Sequence, residues 1–198
     1  MYARQANKNE ESWLLDSLEQ NNLDDTNFRS REFIFVFDED VTNRPVAYGR
    51  LRVHKEMQEV LEETETDEEA YVRYEWYELT SIYFNPSVNR EGAATELFTA
   101  MIERLEDELD GEELFAFVQE TKFYEQFGFT SVEESELAEE QQSRFDTKQV
   151  SVNQHVAPLQ VTPESFTTPE GPGVDEIEAE LQEQGFDDDD ERTYKYST

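Results

Sequence analysis

A loop with small residues at the start of a helical sequence is the first feature that could bind a ligand. Three apolar residues, Ile82-Tyr83-Phe84, lead through a short loop into a helical sequence that begins Asn89-Arg90-Glu91-Gly92-Ala93-Ala94-Thr95. The first turn of a helix has backbone N–H groups without intrahelical partners, and the helix dipole favours an anion there. Gly92 and Ala94 are small enough for a ligand to approach the main chain closely. These features predict a pyrophosphate site made of backbone amides, with simple helix initiation as the alternative interpretation.

The second candidate for chemistry is an aromatic segment, Phe123-Tyr124-Glu125-Gln126-Phe127-Gly128-Phe129. Alone, such a segment is more typical of a hydrophobic core than of a catalytic site. In this order and at this spacing, however, the two segments together resemble the GNAT superfamily of N-acetyltransferases. In that family a strand of pattern L-x-V-x-P precedes a loop of pattern (R/Q)-x-x-G-x-(G/A), and F-Y-x-x-x-G-F follows further on. Asn89 stands where the family prefers Arg or Gln, and Ala94 where Gly is commoner.

The resemblance implies that acetyl-CoA is the co-substrate. Its pyrophosphate would rest on backbone N–H groups of residues 90–95, and Asn89 would offer an amide donor, so that phosphate contact is weakened but not abolished. Its pantetheine arm would run beside the strand that ends at Phe84, which would splay from the strand at 114–118. A main-chain N–H near Phe84 would polarise the thioester carbonyl. An amine then attacks directly, which requires no covalent enzyme intermediate and agrees with the absence of cysteine.

Two proton transfers accompany that reaction, and the resemblance assigns a residue to each. Tyr124 matches the family's tyrosine and would protonate the departing thiolate, since a phenol stays protonated at neutral pH; the alternative is an aromatic residue at the edge of the core. Glu78 lies at the offset where some members carry a general base. By strict alternation it would share a face with Trp76, Ile82 and Phe84, where partial desolvation would raise its pKa. A water relay from Tyr77 or Glu75 is the alternative.

The two histidines, His54 and His155, have no metal-ligand spacing to each other or to a cysteine. Isolated histidines are most often surface or loop residues. The sequence therefore predicts no metal site and no catalytic role for either histidine.

Hydrophobic periodicity predicts the elements that must position the candidate residues. Strands are expected at 2–4, 33–37, 46–53, 71–84, 114–118 and near Phe129, and helices at 10–20, 91–110 and 121–127. A turn is expected at 41–45, an acidic loop or short helix at 56–69, and Gly111 as the stop of the second helix. This order, with the resemblance, predicts a mixed α/β fold of the GNAT type: a central, mixed and mostly antiparallel twisted sheet flanked by helices.

The resemblance covers residues 1–135, which are interpreted as the N-acetyltransferase domain. Residues 136–173 read as a Gln- and Pro-rich extension in which the pattern allows a strand over 148–156. Residues 174–198 read as an acidic C-terminal tail with a short helix. Both segments are interpreted as an appendage outside the catalytic core.

The charge is extreme: 49 acidic and 16 basic residues give a formal charge of −33 in a chain of 198 residues. Aromatic residues make up 13% of the chain, which is too much for a wholly disordered protein. In molar salt the Debye length falls to about 3 Å and self-repulsion is screened. The acidity is therefore interpreted as adaptation to a high-salt cytoplasm, with mimicry of a polyanion as the alternative. It argues against nucleic-acid binding, and the sequence predicts no membrane span, no secretory signal and a cytoplasmic protein.

The predicted function is acetyl-CoA-dependent transfer of an acetyl group to a primary amine, which could be a protein lysine, an N-terminus or a small amine. The alternative is a catalytically weak or inactive GNAT-fold module that serves as a protein-interaction component. The acceptor and the oligomeric state cannot be read from the sequence.

Overall fold

Seven strands and four α-helices make up the described part of the protein. The computed structural model describes residues 1–39, 44–60, 70–152 and 155–169. In chain order the elements are β1 (Tyr2–Gln5), α1 (Glu11–Gln20), β2 (Phe33–Phe37), β3 (Ala47–Val60), β4 (Ala70–Phe84), α2 (Arg90–Leu109), β5 (Leu114–Val118), α3 (Thr121–Glu125), β6 (Thr130–Ser131), α4 (Glu139–Val152) and β7 (Ala157–Val161). Short 3₁₀ turns at 8–10, 30–32 and 134–136 complete the pattern.

All seven strands belong to one sheet with the order β1-β2-β3-β4-β5-β7-β6. Neighbouring strands are antiparallel except β4 and β5, which are parallel. A parallel pair needs a crossover connection, and α2 provides it. The predicted fold class, a mixed and mostly antiparallel sheet flanked by helices, is confirmed.

Alternation along β2 explains how the sheet holds helices on both faces. Phe33, Phe35 and Phe37 pack with Leu14 and Leu18 of α1, while the residues between them belong to the core under α2. All five β2 residues are buried, as the continuous apolar run predicted. A smaller cluster on the α1 side packs α4 against β4 and β5.

A bulge interrupts the alternation of β4. Tyr48 pairs with Tyr83 and Arg50 pairs with Thr80, so two residues of β4, Ser81 and Ile82, face Gly49 alone. Ser81 takes a left-handed conformation with φ 50°, and its hydroxyl donates to the Asp24 carbonyl at 2.7 Å. Because of the extra residue, every side chain beyond the bulge changes face relative to strict alternation.

The region after residue 135 differs from its sequence interpretation. The strand allowed over 148–156 is wrong: residues 139–152 form α4, and the strand lies later, at Ala157–Val161. β7 pairs with β5 over its whole length, and Met1–Thr168 form one compact unit. The β7 sequence, APLQV, contains a proline but also apolar side chains that are buried in the sheet. The Gln and Pro content of the surrounding region therefore did not reveal this strand. Nearly all of the second unit, Pro169–Thr198, including the predicted C-terminal helix, lies outside the described residues.

Two further expectations are corrected. The loop or helix expected at 56–69 is wrong in part, because β3 continues to Val60 and β4 begins at Ala70; 61–69 and most of the expected turn at 41–45 lie outside the described residues. The left-handed residue that ends α2 is Asp110, with φ 52°, rather than Gly111. Gly111 is needed for packing instead, since a Cβ there would lie 2.7 Å from Tyr77.

Candidate active site

The pairing of β4 with β5 ends before either strand does. In the described chain it covers only Tyr77 to Leu79 against Leu114 to Ala116, whereas β4 runs on to Phe84 and β5 to Val118. The two strands therefore separate just after the bulge. The gap leaves the main chain of residues 82–84 without a β5 partner, which is the splay expected from the sequence.

The N-terminus of α2 lies at the end of β4, and Asn89 caps it. The Asn89 side-chain oxygen accepts from the backbone N–H of Glu91 at 3.1 Å and of Gly92 at 3.3 Å, and its carbonyl accepts from Ala93 at 3.0 Å. Two of the amides predicted to bind pyrophosphate thus have an internal partner. Asn89 was expected to donate to phosphate, whereas its side-chain oxygen accepts the hydrogen bonds of a helix cap.

The remaining predicted cofactor residues surround this turn. Ala93 and Ala94 are fully buried against the sheet, and the Thr95 hydroxyl donates to the Glu91 carbonyl at 3.0 Å. Glu91 is exposed. Tyr83 stacks on Tyr48 at 5.1 Å on the α1 side, whereas Ile82 and Phe84 pack on the α2 side.

The cap makes a testable prediction for Asn89. Asn89→Ala should lower the free energy of unfolding of the ligand-free protein by about 1 kcal/mol, because the capping bonds are lost. It should leave acetyl-CoA affinity unchanged or tighter, because the two amides become free for the phosphate. Asn89→Asp should keep the cap and weaken acetyl-CoA binding through repulsion. Calorimetric titration checks this; equal loss of affinity in both variants would instead support a donor role.

Arg90 connects the turn to the aromatic segment. Its guanidinium lies 3.9 Å from the ring centre of Phe123 and 5.6 Å from that of Phe84, and it forms an ion pair with Glu120 at 2.8 Å. Cation–π contacts of this kind hold the start of α2 against the start of α3. Residues 119–123 line a cavity of about 500 Å³ beside this pair.

Tyr124 lies in an aromatic cluster that joins α2 to α3. Its ring stacks with Phe98 at 5.8 Å and meets Phe129 edge-on at 5.6 Å. Burial raises the pKa of the Tyr124 hydroxyl far above its usual value of 10, although the nearby Arg90 charge lowers it. The hydroxyl therefore stays protonated over the working pH range, so it has a hydrogen to offer to a departing group.

The backbone conformation at Gly128 explains why the aromatic motif has a glycine at this position. Its φ is +85°, and a Cβ there would collide with the Ser165 carbonyl. The motif therefore depends on a contact with the segment that follows β7, which the sequence analysis placed outside the core.

Glu78 lies at the centre of a buried charge network on the α4 side of the sheet. It is fully buried and accepts hydrogen bonds from Arg144 at 2.9 Å and from His54 at 2.9 Å, while Lys148 lies 3.8 Å away. Arg144 also pairs with Asp24, which pairs with Arg52. Two residues of α4 thus neutralise a carboxylate of the central strand.

Two expectations for Glu78 are therefore wrong. Its pKa is lowered: burial alone would raise it, but the hydrogen bond from His54 and the charges of Lys148 and Arg144 bring it to about 2. It also does not share a face with Ile82 and Phe84, because the bulge at Ser81 reverses them; it does share a face with Trp76, which packs with α4. The cations of α4 could not be paired with Glu78 from the sequence.

His54 lies at the site although the sequence predicted no catalytic role for it. It is mostly buried, its ring stacks on Trp76 with centroids 3.8 Å apart, and its Nε2 lies 2.9 Å from Glu78. Because an ionised carboxylate only accepts, Nε2 carries the hydrogen and Nδ1 carries the lone pair. Burial lowers the pKa of His54 below 6.5, with the Glu78 bond opposing, so the ring is neutral at pH 7. His155 is exposed, as predicted.

The two fallback residues for a water relay lie elsewhere. The Tyr77 hydroxyl donates to the Leu109 carbonyl at 2.9 Å on the α2 side, opposite to Glu78. Glu75 forms an ion pair with Lys55 at 3.1 Å. Neither contact connects these residues to the gap between β4 and β5.

Among 1–39, 44–60, 70–152 and 155–169, no three His, Cys, Asp or Glu side chains are grouped so that they could hold a metal ion. In the same part of the chain, no helix combines the length and the apolar content needed to cross a membrane.

Comparisons with known proteins agree with this architecture. The acetyltransferase (GNAT) family model matches residues 2–129, and no curated protein sequence matches the chain. The Mycobacterium tuberculosis protein Rv2747, solved in complex with CoA and NLQ, has a TM-score of 0.56 at 15% identity, over 82% of this chain and 99% of its own.

A second similar structure is N-acetylglutamate synthase from Neisseria gonorrhoeae, complexed with coenzyme A and L-arginine. The comparison gives a TM-score of 0.54 at 13% sequence identity. The matched region is 81% of the present chain but only 32% of the synthase chain. At these identities the two structures establish likeness of fold alone. The family match covers well over half of the chain and includes both the turn at Asn89 and the aromatic segment around Tyr124. The chain therefore belongs to the acetyltransferase (GNAT) family and is an N-acetyltransferase.

Proposed function

We propose that the protein transfers the acetyl group of acetyl-CoA to a primary amine by direct attack in a ternary complex. The observation that carries the proposal is the gap between β4 and β5, which opens beside the N-terminus of α2. The unpaired main chain of 82–84 can hydrogen-bond an extended pantetheine arm, and the turn at 89–95 can hold the pyrophosphate. The presence of CoA in both similar structures supports the same co-substrate here.

In this reaction the amine nitrogen forms a bond to the thioester carbonyl carbon, and the carbon–sulfur bond breaks. The incoming ammonium loses one proton to a base before it attacks, and the nitrogen loses a second proton from the tetrahedral intermediate. The departing thiolate takes a proton from Tyr124, and the second proton from the nitrogen restores the phenol. A main-chain N–H near Phe84 would stabilise the oxyanion of the intermediate. No covalent bond to the enzyme is needed.

We further infer that the Glu78–His54 pair receives the proton from the ammonium. A carboxylate with a pKa of about 2 is a weak base, whereas a neutral imidazole is well matched to neutral pH. Glu78 then orients His54 and stabilises its charged form after proton transfer. This changes Glu78 from the base predicted from the sequence to a positioning residue and makes His54 the base.

The two histidines allow a matched test of this assignment. We expect kcat/KM of the wild type to fall as the pH decreases through the lowered pKa of His54, because the protonated ring cannot accept a proton. His54→Gln should remove that limb and lower kcat by about 10²-fold, while His155→Gln should keep the wild-type pH profile. A His54→Gln profile that matches the wild type would exclude His54 as the base.

The function itself is tested by binding and turnover. Acetyl-CoA should raise the Tm of the protein in molar KCl, and CoA release should follow addition of an amine from a panel of small amines, amino acids and peptides. Absence of acetyl-CoA stabilisation at every salt concentration would contradict the proposal and favour a binding module.

A further inference from the structure

A cavity of about 400 Å³ lies on the α1 side of the sheet, between the segment 27–32 and β3. Its size suits a small ligand. The residues around it are Asn27, Phe28, Arg29, Glu32, Arg50, Arg52, Val53, His54 and Lys55.

The charge of this cavity is opposite to that of the protein. Four of its lining side chains are cationic and one is a carboxylate, although the chain has three times as many acidic as basic residues. If charged residues were distributed at random over the surface, a cavity of this size would be lined mainly by acidic residues. Concentration of arginine in one concave place therefore indicates a ligand with negative charge.

The cations have different roles. Arg50 is fully buried and is used by the protein itself: it pairs with Glu32 at 2.7 Å and donates to the carbonyls of Thr26 and Asn27. It forms a rigid wall. Arg52 makes one contact of 3.3 Å with Asp24, which leaves most of its five N–H donors for a ligand. Arg29 and Lys55 are about half exposed and can close over it.

The electrostatic surroundings of Arg52 agree with this. Burial lowers its pKa, and so do the neighbouring charges of Arg144 and Arg50, against the opposing effect of Glu78 and Asp24. Arg52, Arg144 and Lys148 together face two carboxylates, Asp24 and Glu78, which leaves one positive charge that a bound anion would balance. Because the cavity is concave and partly shielded from solvent, molar salt screens this attraction less than it screens exposed charges.

The cavity lies next to the proposed reaction site. Arg50 pairs with Thr80 and Arg52 with Glu78, so the main chain of the β3 residues that line the cavity is one strand spacing, about 4.8 Å, from the part of β4 that precedes the bulge. His54 lines the cavity and contacts Glu78. Arg52 faces Glu78, and the pairing of β4 with β5 ends at the next residue, Leu79. A molecule anchored at Arg52 would therefore lie between His54 on one side and the start of the gap between β4 and β5 on the other.

We propose that the acceptor is a small amino acid-like molecule whose carboxylate binds in this cavity at Arg52. The proposal rests on the function inferred above and narrows the acceptor to amines that carry a carboxylate. Arginine forms two parallel hydrogen bonds to a carboxylate, and its charge would repel a diamine.

The test compares three probes in about 2 M KCl: L-glutamate, its diamide, and 1,4-diaminobutane. Binding is measured by thermal shift and NMR line broadening without cofactor, and turnover by CoA release with acetyl-CoA. We expect L-glutamate to bind and to be acetylated at least 10-fold better than the other two.

Variants locate the site. Arg52→Gln should raise KM for the carboxylate acceptor at least 10-fold with little change in kcat or in acetyl-CoA affinity, and Arg29→Gln should have a smaller effect in the same direction. Arg31→Gln is the matched control, because Arg31 is exposed in the same segment and does not line the cavity. Reversal of charge, with Arg52→Glu, should shift preference towards the diamine.

The outcomes separate this proposal from the underlying function. A preference of the wild type for the diamine, or equal effects of Arg52→Gln and Arg31→Gln, would overturn the carboxylate site while transferase activity stands. Binding of L-glutamate at Arg52 without any binding of acetyl-CoA would overturn the proposed function and retain the carboxylate site.

Discussion

Replacement of Tyr124 by phenylalanine is expected to lower kcat by about 10²-fold or more, the usual contribution of a general acid. The substitution removes only the hydroxyl, and the ring contacts with Phe98 and Phe129 stay in place. Because burial raises the pKa of this phenol, it is protonated at every working pH, so its loss should not add or remove a limb of the pH profile. Acetyl-CoA affinity should change less than 3-fold, since the proposed cofactor contacts are with backbone amides.

Tyr48→Phe is the matched control. The Tyr48 hydroxyl binds Ser17 of α1 at 2.9 Å, burial raises its pKa as well, and it plays no part in the proposed reaction. Removal of the Tyr48 hydroxyl should lower the free energy of unfolding by about 1 kcal/mol and leave kcat close to that of the wild type. Stopped-flow measurement of CoA release distinguishes the two. A Tyr124→Phe enzyme with wild-type kcat would exclude Tyr124 as the acid.

Glu78→Gln is expected to be the most destabilising single substitution at the site. It leaves Arg144 and Lys148 near an uncharged amide in a buried setting, and breaking a buried ion pair in this way costs about 3–5 kcal/mol. For a chain of this size that corresponds to a fall in Tm of roughly 10 °C. The surface variant Glu108→Gln, which removes an exposed partner of Arg104, should cost less than about 0.5 kcal/mol.

A double-variant cycle and an acid titration check the same network. Glu78→Gln combined with Arg144→Met should be less destabilised than the sum of the two single variants, because neither charge remains unpaired. The pKa of Glu78 is 4.5 in its unperturbed state and about 2 when folded, so its contribution is complete above pH 4.5 and is lost as the pH falls towards 2. Additive single effects, or identical acid titrations of wild type and variant, would contradict the network.

Local patterns were sufficient to predict most of the sheet. The continuous apolar run of β2 and the regular apolar stripe of α2 are both visible within a short stretch of sequence. The predicted ends of both elements lie within one or two residues of the observed ends. The same is true of the turn at Asn89 and of the aromatic segment around Tyr124. Short-range periodicity determines such elements, because each buries its own apolar face.

Features that depend on distant partners could not be predicted. The bulge at Ser81 arises from pairing with Gly49 and is not visible in the alternation of β4. Glu78 and Arg144 are 66 residues apart, and α4 has a weak apolar pattern because much of its inner face is charged. For the same reason His54 read as an isolated histidine, although a stacked tryptophan and a carboxylate surround it. Ion pairs between residues that are distant in the chain produce no periodic pattern in the sequence.

The bulge at Ser81 also constrains how this strand can evolve. On one side of it the odd-numbered residues point towards the crossover helix, and on the other side the even-numbered residues do. Flattening of the bulge with no change in length would restore simple alternation and would turn Ile82 and Phe84 away from their hydrophobic neighbours while leaving Glu78 in place. Deletion of Ser81 itself would instead keep all three side chains on their present faces. An insertion between Glu78 and Phe84 would therefore need a second bulge to keep these faces. A one-residue shortening of this interval should be tolerated in a functional descendant only where it removes the bulge, and with it the Ser81 hydrogen bond to Asp24.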